Sequence, residues 1–201
     1  MPLPLTPLSR GSLPPDPIAL ARWLIGKRVV RPLDGAHVGG RIVETEAYLD
    51  DDPASHSFRG QNLRNRSMFG VRGNAYVYRI YGMWFCFNVS AGAPREGAAV
   101  LIRAIEPEFG LDAMAARRRG GDPRDLTRGP GRLCAALAID LQLDGIDLCR
   151  ANGALWLAEG GAPIGPIGTS PRIGITKAAD APLRFYERGN PRVSGPKSAR
   201  T

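Results

Sequence analysis

Arg41-Ile42-Val43-Glu44-Thr45-Glu46-Ala47-Tyr48-Leu49 is a strand-forming run that carries two carboxylates and then an aromatic ring. A strand period of two puts Ile42, Glu44, Glu46 and Tyr48 on one face and Val43, Thr45, Ala47 and Leu49 on the other. The second face can pack on a core. The first combines acid with an aromatic, which is the pattern of a strand lining a cleft. The plain alternative is an edge strand with solvated glutamates, because isolated carboxylates are mostly exposed. The residues on either side of the run decide between the two.

Upstream, Asp16-Pro17 supplies an N-cap and a first-turn proline, and Ile18, Ala21, Leu24 and Ile25 mark one helical face before Gly26 ends it. Lys27 to Pro32 reads as a strand, Asp34-Gly35 as a turn, and Gly40 to Leu49 as the partner strand. Downstream, the polar loop Asp50 to Ser57 carries His56, and from Phe58 to Gly73 arginines Arg59, Arg64, Arg66 and Arg72 alternate with Asn62, Asn65 and Ser67. Arginine beside short hydrogen-bonding side chains suits phosphate, although a solvated basic loop has the same composition.

Tyr76 to Val89 is predicted to form a hairpin with Tyr81-Gly82 at its tip. Aromatics in a hairpin normally fill a core, so an aromatic at the turn is unusual and could act as a wedge between bases. Asn88 falls mid-strand, where a buried amide must find partners. Ala98 to Ile105 reads as a central strand interrupted by Arg103, and a guanidinium there needs a carboxylate or phosphate beside it. Glu44 and Glu46 are the available acids. Pro107 to Arg119 is predicted to be a helix. Gly129-Pro130-Gly131 leads into another over Arg132 to Ile139, with Arg128 and Arg132 placed for an anion. Ala154 to Leu157, Arg172 to Ile175 and Leu183 to Arg188 read as strands.

The length of 201 residues fits one domain, expected over residues 17–194 between flexible tails at 1–16 and 195–201. Lys+Arg number 27 against 19 Asp+Glu, a net charge of +8, and lysines occur at Lys27, Lys177 and Lys197 alone, so the basicity is nearly all arginine. Such a balance suits an anionic partner such as nucleic acid. Cys86, Cys134 and Cys149 lack metal spacing and the histidines are His37 and His56, so no metal or other cofactor is expected and the thiols are expected reduced. The Leu- and Pro-rich start has no signal-peptide pattern and no run suits a bilayer span, so a cytoplasmic monomer without membrane contact is expected, nucleoid-associated in a bacterium.

Taken together, the chain resembles the alkyladenine (3-methyladenine) DNA glycosylase family. The resemblance rests on Arg41 to Tyr48, Arg64-Asn65-Arg66, Tyr76 to Tyr78 with Ile80 to Met83, and Leu101 to Pro107, followed in family order by Gly129 to Leu133, Pro171 to Gly174 and Pro182 to Tyr186. It implies a single α+β domain around a curved antiparallel sheet, with a protruding hairpin and helices around it. It implies an enzyme that flips alkylated or deaminated purines, 3-methyladenine and hypoxanthine among them, from duplex DNA and hydrolyses the N-glycosidic bond. Glu46 would activate water, with Arg103 and the Ile173 main chain holding the site. Tyr48, His56, Tyr78 and Asn88 would form the base pocket, and Tyr81 with Met83 would fill the gap left in the duplex. Arg64, Arg66, Arg128 and Arg132 would take phosphates. Gln61-Asn62-Leu63 and Trp84 depart from the family pattern. Two other readings stay open on the residues alone: a non-catalytic module that kinks nucleic acid, which leaves Glu46 and Arg103 unexplained, and a hydrolase of free nucleosides, which needs neither the wedge nor the charge.

Overall fold

The computed structural model describes residues 5–118, 122–151, 153–160 and 165–195. Helix α1 (Pro17–Leu24) begins as its sequence requires, with the Asp16 side chain accepting from Ala19 N at 2.6 Å and Pro17 in the first turn. It ends before Gly26, whose φ of 91° a side chain would strain. Strands β1 (Arg28–Leu33) and β2 (Ala36–Tyr48) form a hairpin, β3 (Ala75–Ile80) and β4 (Trp84–Ser90) form a second, and β5 (Ala99–Phe109) follows. Helices α2 (Leu111–Arg117) and α3 (Pro130–Ala136) precede the short strands β6 (Trp156–Ala158), β7 (Ile167–Ser170) and β8 (Arg184–Glu187).

All the pairings are antiparallel, in the order β3-β4-β5-β2-β1-β6. Strand β2 is long enough to take two partners on one side. Its first half pairs with β1 and its second with β8, which carries β7 beyond it. The sheet is closely drawn at this centre: a Cβ on Gly40 would lie 1.9 Å from the Glu106 carbonyl oxygen. The principal core lies between the sheet and the helices, with Leu20, Ala21, Leu24, Ile42, Ala47, Phe87, Ile102 and Leu133 among its members. Thr45 ties strand to helix by donating to the Ala21 carbonyl at 2.8 Å. The curved α+β architecture and the projecting second hairpin agree with the expectation from sequence.

Several local expectations are corrected. Between Ile42 and Thr45 the β2–β5 register shifts: Ile42 pairs with Ile105, Glu44 with Ala104 and Thr45 with Ile102. Val43 and Arg103 are left over on their respective strands. This bulge reverses the alternation upstream of Glu44, so Ile42 joins the principal core, and Val43 lies in a separate cluster with Ala104, Tyr186 and Val193. The helix expected from Pro107 starts only at Leu111, because β5 continues through Glu106 and Pro107 against Arg41 and Gly40. The expected strand Arg172 to Ile175 is irregular. Its polar groups do not form a ladder: the Arg172 side chain donates to Asp52 and to the Ala47 carbonyl, and Ile173 N donates to the Glu46 carboxylate. Strand β7 is not apparent from its sequence, where glycine, threonine and serine follow Ile167.

The stretch 5–16, expected to be mobile, is packed on the domain. Leu8 N donates to the Leu157 carbonyl at 2.9 Å, Glu159 N to the Thr6 carbonyl at 2.8 Å, and Leu8 and Leu13 are buried in the principal core. Burial of two leucines contributes several kcal/mol, on the order of 2 kcal/mol each, enough to offset the ordering of a short segment. Residues 1–4, Arg119 and, of the C-terminal tail expected over 195–201, residues 196–201 with Lys197 lie outside the described residues, while Gly195 accepts from Arg128. Before those residues, 190–195 form a strap over β2 and β8 on the side opposite the principal core. Asn190 donates to Glu187 and Glu106, Arg128 donates to the Val193 and Gly195 carbonyls at 3.1 and 2.8 Å, and Arg184 donates to the Ser194 carbonyl at 3.0 Å.

Candidate active site

Strand β2 delivers Glu44, Glu46 and Tyr48 to the side of the sheet away from α1, and the bulge brings Arg103 of β5 between the two carboxylates. Arg103 Nη1 donates to Glu46 Oε2 at 3.1 Å, and Arg103 Nε lies 3.4 Å from Glu44 Oε1. Burial works against the Arg103 charge, but the two carboxylates outweigh it and raise its pKa further. Glu46 is completed by the Tyr48 hydroxyl, 2.9 Å from Oε2, and by Ile173 N, 2.8 Å from Oε1. Among the described residues Oε2 thus accepts twice and Oε1 once, which leaves an open lone pair on Oε1. Glu46 has no exposed surface. Its three donors, however, all line one cleft.

That cleft has a volume of about 310 Å³ and is walled by Tyr48, His56, Tyr78, Asn88, Arg103 and Ile173, all named from sequence, together with Tyr76, Met68, Cys86 and Leu101, which were not. His56 stands edge-on to Tyr78 at 4.5 Å between ring centroids, and its Nδ1 is 2.8 Å from the Tyr76 hydroxyl. Burial against these rings lowers the His56 pKa, and nearby Arg64 pushes the same way, so a neutral imidazole is favoured. Burial also raises the phenols of Tyr48, Tyr76 and Tyr78, which therefore act as neutral donors and flat walls. Asn88 donates to the Tyr76 carbonyl across the hairpin at 3.0 Å, so its side-chain oxygen has no partner among the described residues. Tyr76 could have been found from its spacing, two residues before Tyr78 on the same face. Arg172 could not. It stacks over the Tyr48 ring at 4.6 Å and pairs with Asp52, a contact that links residues 120 positions apart.

Tyr81 sits at the cleft mouth on the hairpin tip, 88% exposed and with φ of 47°. A left-handed conformation costs a residue with a side chain roughly 1–2 kcal/mol, and an exposed tyrosine recovers none of it by burial. Met83, grouped with it from sequence, is 69% exposed and lies on the flank with Trp84, outside the cleft. Of the expected phosphate ligands, Arg64 and Arg66 are exposed beside β3. Arg128 departs from expectation, since its donors go to Asp125, Val193 and Gly195. Arg132 is paired with Asp125 at 3.0 Å and keeps an exposed side.

The cleft therefore combines aromatic walls that fit a planar ring, a buried carboxylate with one free lone pair and a fixed guanidinium at its base, and a strained aromatic at its mouth. The sequence profile of the methylpurine-DNA glycosylase (MPG) family matches residues 12–191. A protein of Mesorhizobium japonicum, provisionally named a 3-methyladenine DNA glycosylase, is 57% identical over 96% of this chain and 92% of its own length. Proteins given the same provisional name in Granulibacter bethesdensis and Paraburkholderia phytofirmans are 52% and 47% identical, over 90% and 97% of this chain and 84% and 91% of their own.

Proposed function

Because this chain belongs to the methylpurine-DNA glycosylase family and is a DNA-repair glycosylase, we propose that it extrudes alkylated purines of the 3-methyladenine type from duplex DNA and hydrolyses their N-glycosidic bond through Glu46. The observation that carries the reading is the buried Glu46, held by Tyr48, Arg103 and Ile173 N at the base of an aromatic cleft. A base inside a duplex cannot reach such a site, so the nucleotide must leave the stack, at a cost of a few kcal/mol that is least for damaged bases. Tyr81 stacks in the gap it leaves, with Met83 beside it. Tyr48, His56 and Tyr78 enclose the extruded base, and Asn88 screens its edge. Arg64, Arg66 and the exposed side of Arg132 take phosphates.

As the glycosidic bond breaks, its electron pair leaves with the purine nitrogen and positive charge develops on the sugar. The Glu46 carboxylate stabilises that charge, and its Oε1 takes the proton of the water that adds to the sugar carbon. Glu46 has no exposed surface, so the water is admitted by a small displacement of the side chains around it, with Tyr48 the one that a seated base touches. A purine that already carries a positive charge leaves as a neutral base. Hypoxanthine requires a proton first and is released more slowly. The products are free base and an intact abasic strand: Lys27 is held by Glu159 at 2.6 Å and over Trp23, and Lys177 is exposed outside the cleft wall.

The test is release of free base from lesion-bearing duplexes and from the corresponding free nucleosides, with borohydride present in a parallel reaction. Release from duplex alone, with no trapped protein–DNA adduct and no effect of chelator, is expected. Release from nucleosides, binding without release, or a borohydride-trapped lysine adduct each overturns the reading.

A further inference from the structure

Beside β3 a second cleft, of about 440 Å³, shares the Tyr78 wall with the base cleft. Arg64, Arg66 and Arg79 line it, and so do two leucines that fold stability does not explain: Leu63 is 88% and Leu141 52% exposed. Asp144 is its acidic member, and both its oxygens are engaged, one by Ser67 Oγ at 2.7 Å and the other by Val77 N at 2.9 Å. Arg66 and Arg79 are exposed, and neither guanidinium has a hydrogen bond or ion pair among the described residues. The cleft thus has a net positive charge with apolar surface between the charges.

The loop that presents Leu63 is rigid. Asn62 Oδ1 accepts from Arg64 N at 2.9 Å and Asn65 N at 3.1 Å, while Asn65 Oδ1 accepts from Asn62 N at 2.7 Å. Asn65 Nδ2 then donates to the carbonyls of His56 and Gly60 at 2.9 and 3.0 Å. Two asparagines therefore fix the backbone on either side of an unburied leucine and join it to the segment that carries His56. A preset loop loses little freedom on contact with a ligand. Arg64 reaches across, stacking over Tyr78 at 5.7 Å and donating to the Arg79 carbonyl at 3.2 Å.

Alternating cations and apolar surface match a polynucleotide strand, in which phosphates alternate with sugars and base faces. Tyr78 lines both clefts, with Tyr76 and Ile80 of the edge strand β3 on the base cleft and Val77 and Arg79 on this one. A strand whose extruded nucleotide enters the base cleft can therefore continue past the β3 edge into this one. We propose that the cleft is a second nucleic-acid subsite, where Arg79 and Arg66 hold phosphates of the damaged strand next to the extruded nucleotide and Leu63 and Leu141 contact its apolar faces. The proposal rests on the DNA reading above and adds Arg79, Leu63 and Leu141 to it. Through Arg64 the occupied subsite also bears on the Tyr78 wall of the base cleft.

The test measures binding to a lesion-bearing duplex by Glu46→Gln protein and by the same protein carrying Arg79→Gln or Leu63→Ser as well. Three duplexes are used: one fully charged, one with neutral methylphosphonate linkages beside the lesion on the damaged strand, and one with them on the complementary strand. Arg79→Gln is expected to weaken binding roughly tenfold to the fully charged duplex and to reduce the salt slope by about 1. That loss disappears when the damaged strand is neutralised and persists when the complement is. Leu63→Ser weakens binding without changing the slope. Unchanged affinity and slope in Arg79→Gln overturns the subsite, and a loss that disappears only with the neutral complement overturns the strand assignment. If Glu46→Gln protein itself does not prefer the lesion duplex, it is the DNA reading that has failed.

Discussion

Glu44 and Glu46 leave one strand two residues apart, both wholly buried and both beside Arg103, yet they are engaged by different parts of the molecule. Glu44 meets Arg184 Nε at 2.6 Å, Ser194 N and Ser194 Oγ at 2.8 Å each, and Arg103 at 3.4 Å. Apart from Arg103, these partners belong to β8 and the C-terminal strap, on the same side of the sheet but outside the cleft lining. Glu46 is engaged by three donors that all face the cleft. Burial does not distinguish the carboxylate proposed to react from its structural neighbour. The difference lies in where the donors lead: Glu44 Oε2 also accepts once among the described residues, but from Ser194 N, which does not line the cleft.

The comparison is broken most directly by exchanging each acid for its amide. Glu46→Gln should lower single-turnover base release by roughly 10²–10⁴-fold, the range expected when a general base is removed. Damaged-DNA affinity should stay within about tenfold, and Tm should fall by less than in Glu44→Gln, because Arg103 keeps Glu44 as a charged partner. Retained turnover would transfer the base role to Glu44. Glu44→Gln should do the reverse. Leaving Arg184 and Arg103 with an uncharged partner costs about 3–5 kcal/mol, a fall in Tm of roughly 10 °C by calorimetry. Were its main effect on base release with Tm unchanged, the two roles would have to be exchanged.

A smaller change tests whether the two acids communicate. Ser194→Ala removes the hydroxyl that donates to Glu44 and lies 3.4 Å from Arg103 Nε. It should lower stability by about 1 kcal/mol and base release by a few-fold at saturating DNA, since Arg103 loses part of its support. Equal loss in DNA affinity and no change in the rate of release would show that the strap serves binding alone.

The smallest expected effect is at high pH. Burial first, then the charge and hydrogen bond of Glu46, raise the Tyr48 phenol above its ordinary value of about 10. The folded protein therefore keeps a proton that the unfolded chain releases. The resulting stability is complete below about pH 10 and is lost as pH rises towards the folded value. Thermal unfolding of Tyr48→Phe and wild type should diverge less as pH increases from about 9 to about 11. A constant difference would mean that Tyr48 does not titrate differently in the two states.

Much of this site is legible in the sequence because its signals are local. Glu46 and Tyr48 share strand parity, Tyr81 occupies a two-strand turn, and Arg103 interrupts an apolar run that allows a charge only beside an acid. The bulge at Val43 is not legible, because alternation assumes an unbroken ladder and an unpaired residue leaves no mark in composition. Nor are the partners of Glu44, which arrive from Arg184 and Ser194 at the far end of the described chain. The packed N-terminal leucines were hidden for a related reason. Pro-rich surroundings suggest mobility, and only the position of β6 and the core shows what Leu8 and Leu13 fill. Arg128 illustrates the opposite error, a charge that local context assigns to a ligand and that the strap engages instead.

The hydrogen bonds from Ser194 to Glu44 join positions 150 residues apart. Contacts of that range form late on the way to the native state, since a large loop must close before they stabilise anything, and they are among the first exposed to fraying. On the function proposed above, a molecule whose strap has come away would keep the principal core and the arginines beside β3, and with them part of its hold on DNA. Arg103 then has a weakened support and Glu46 an imprecise one. On that reading the domain would lose chemistry before it loses grip, and a half-folded copy would be a silent occupant of DNA and not a careless one.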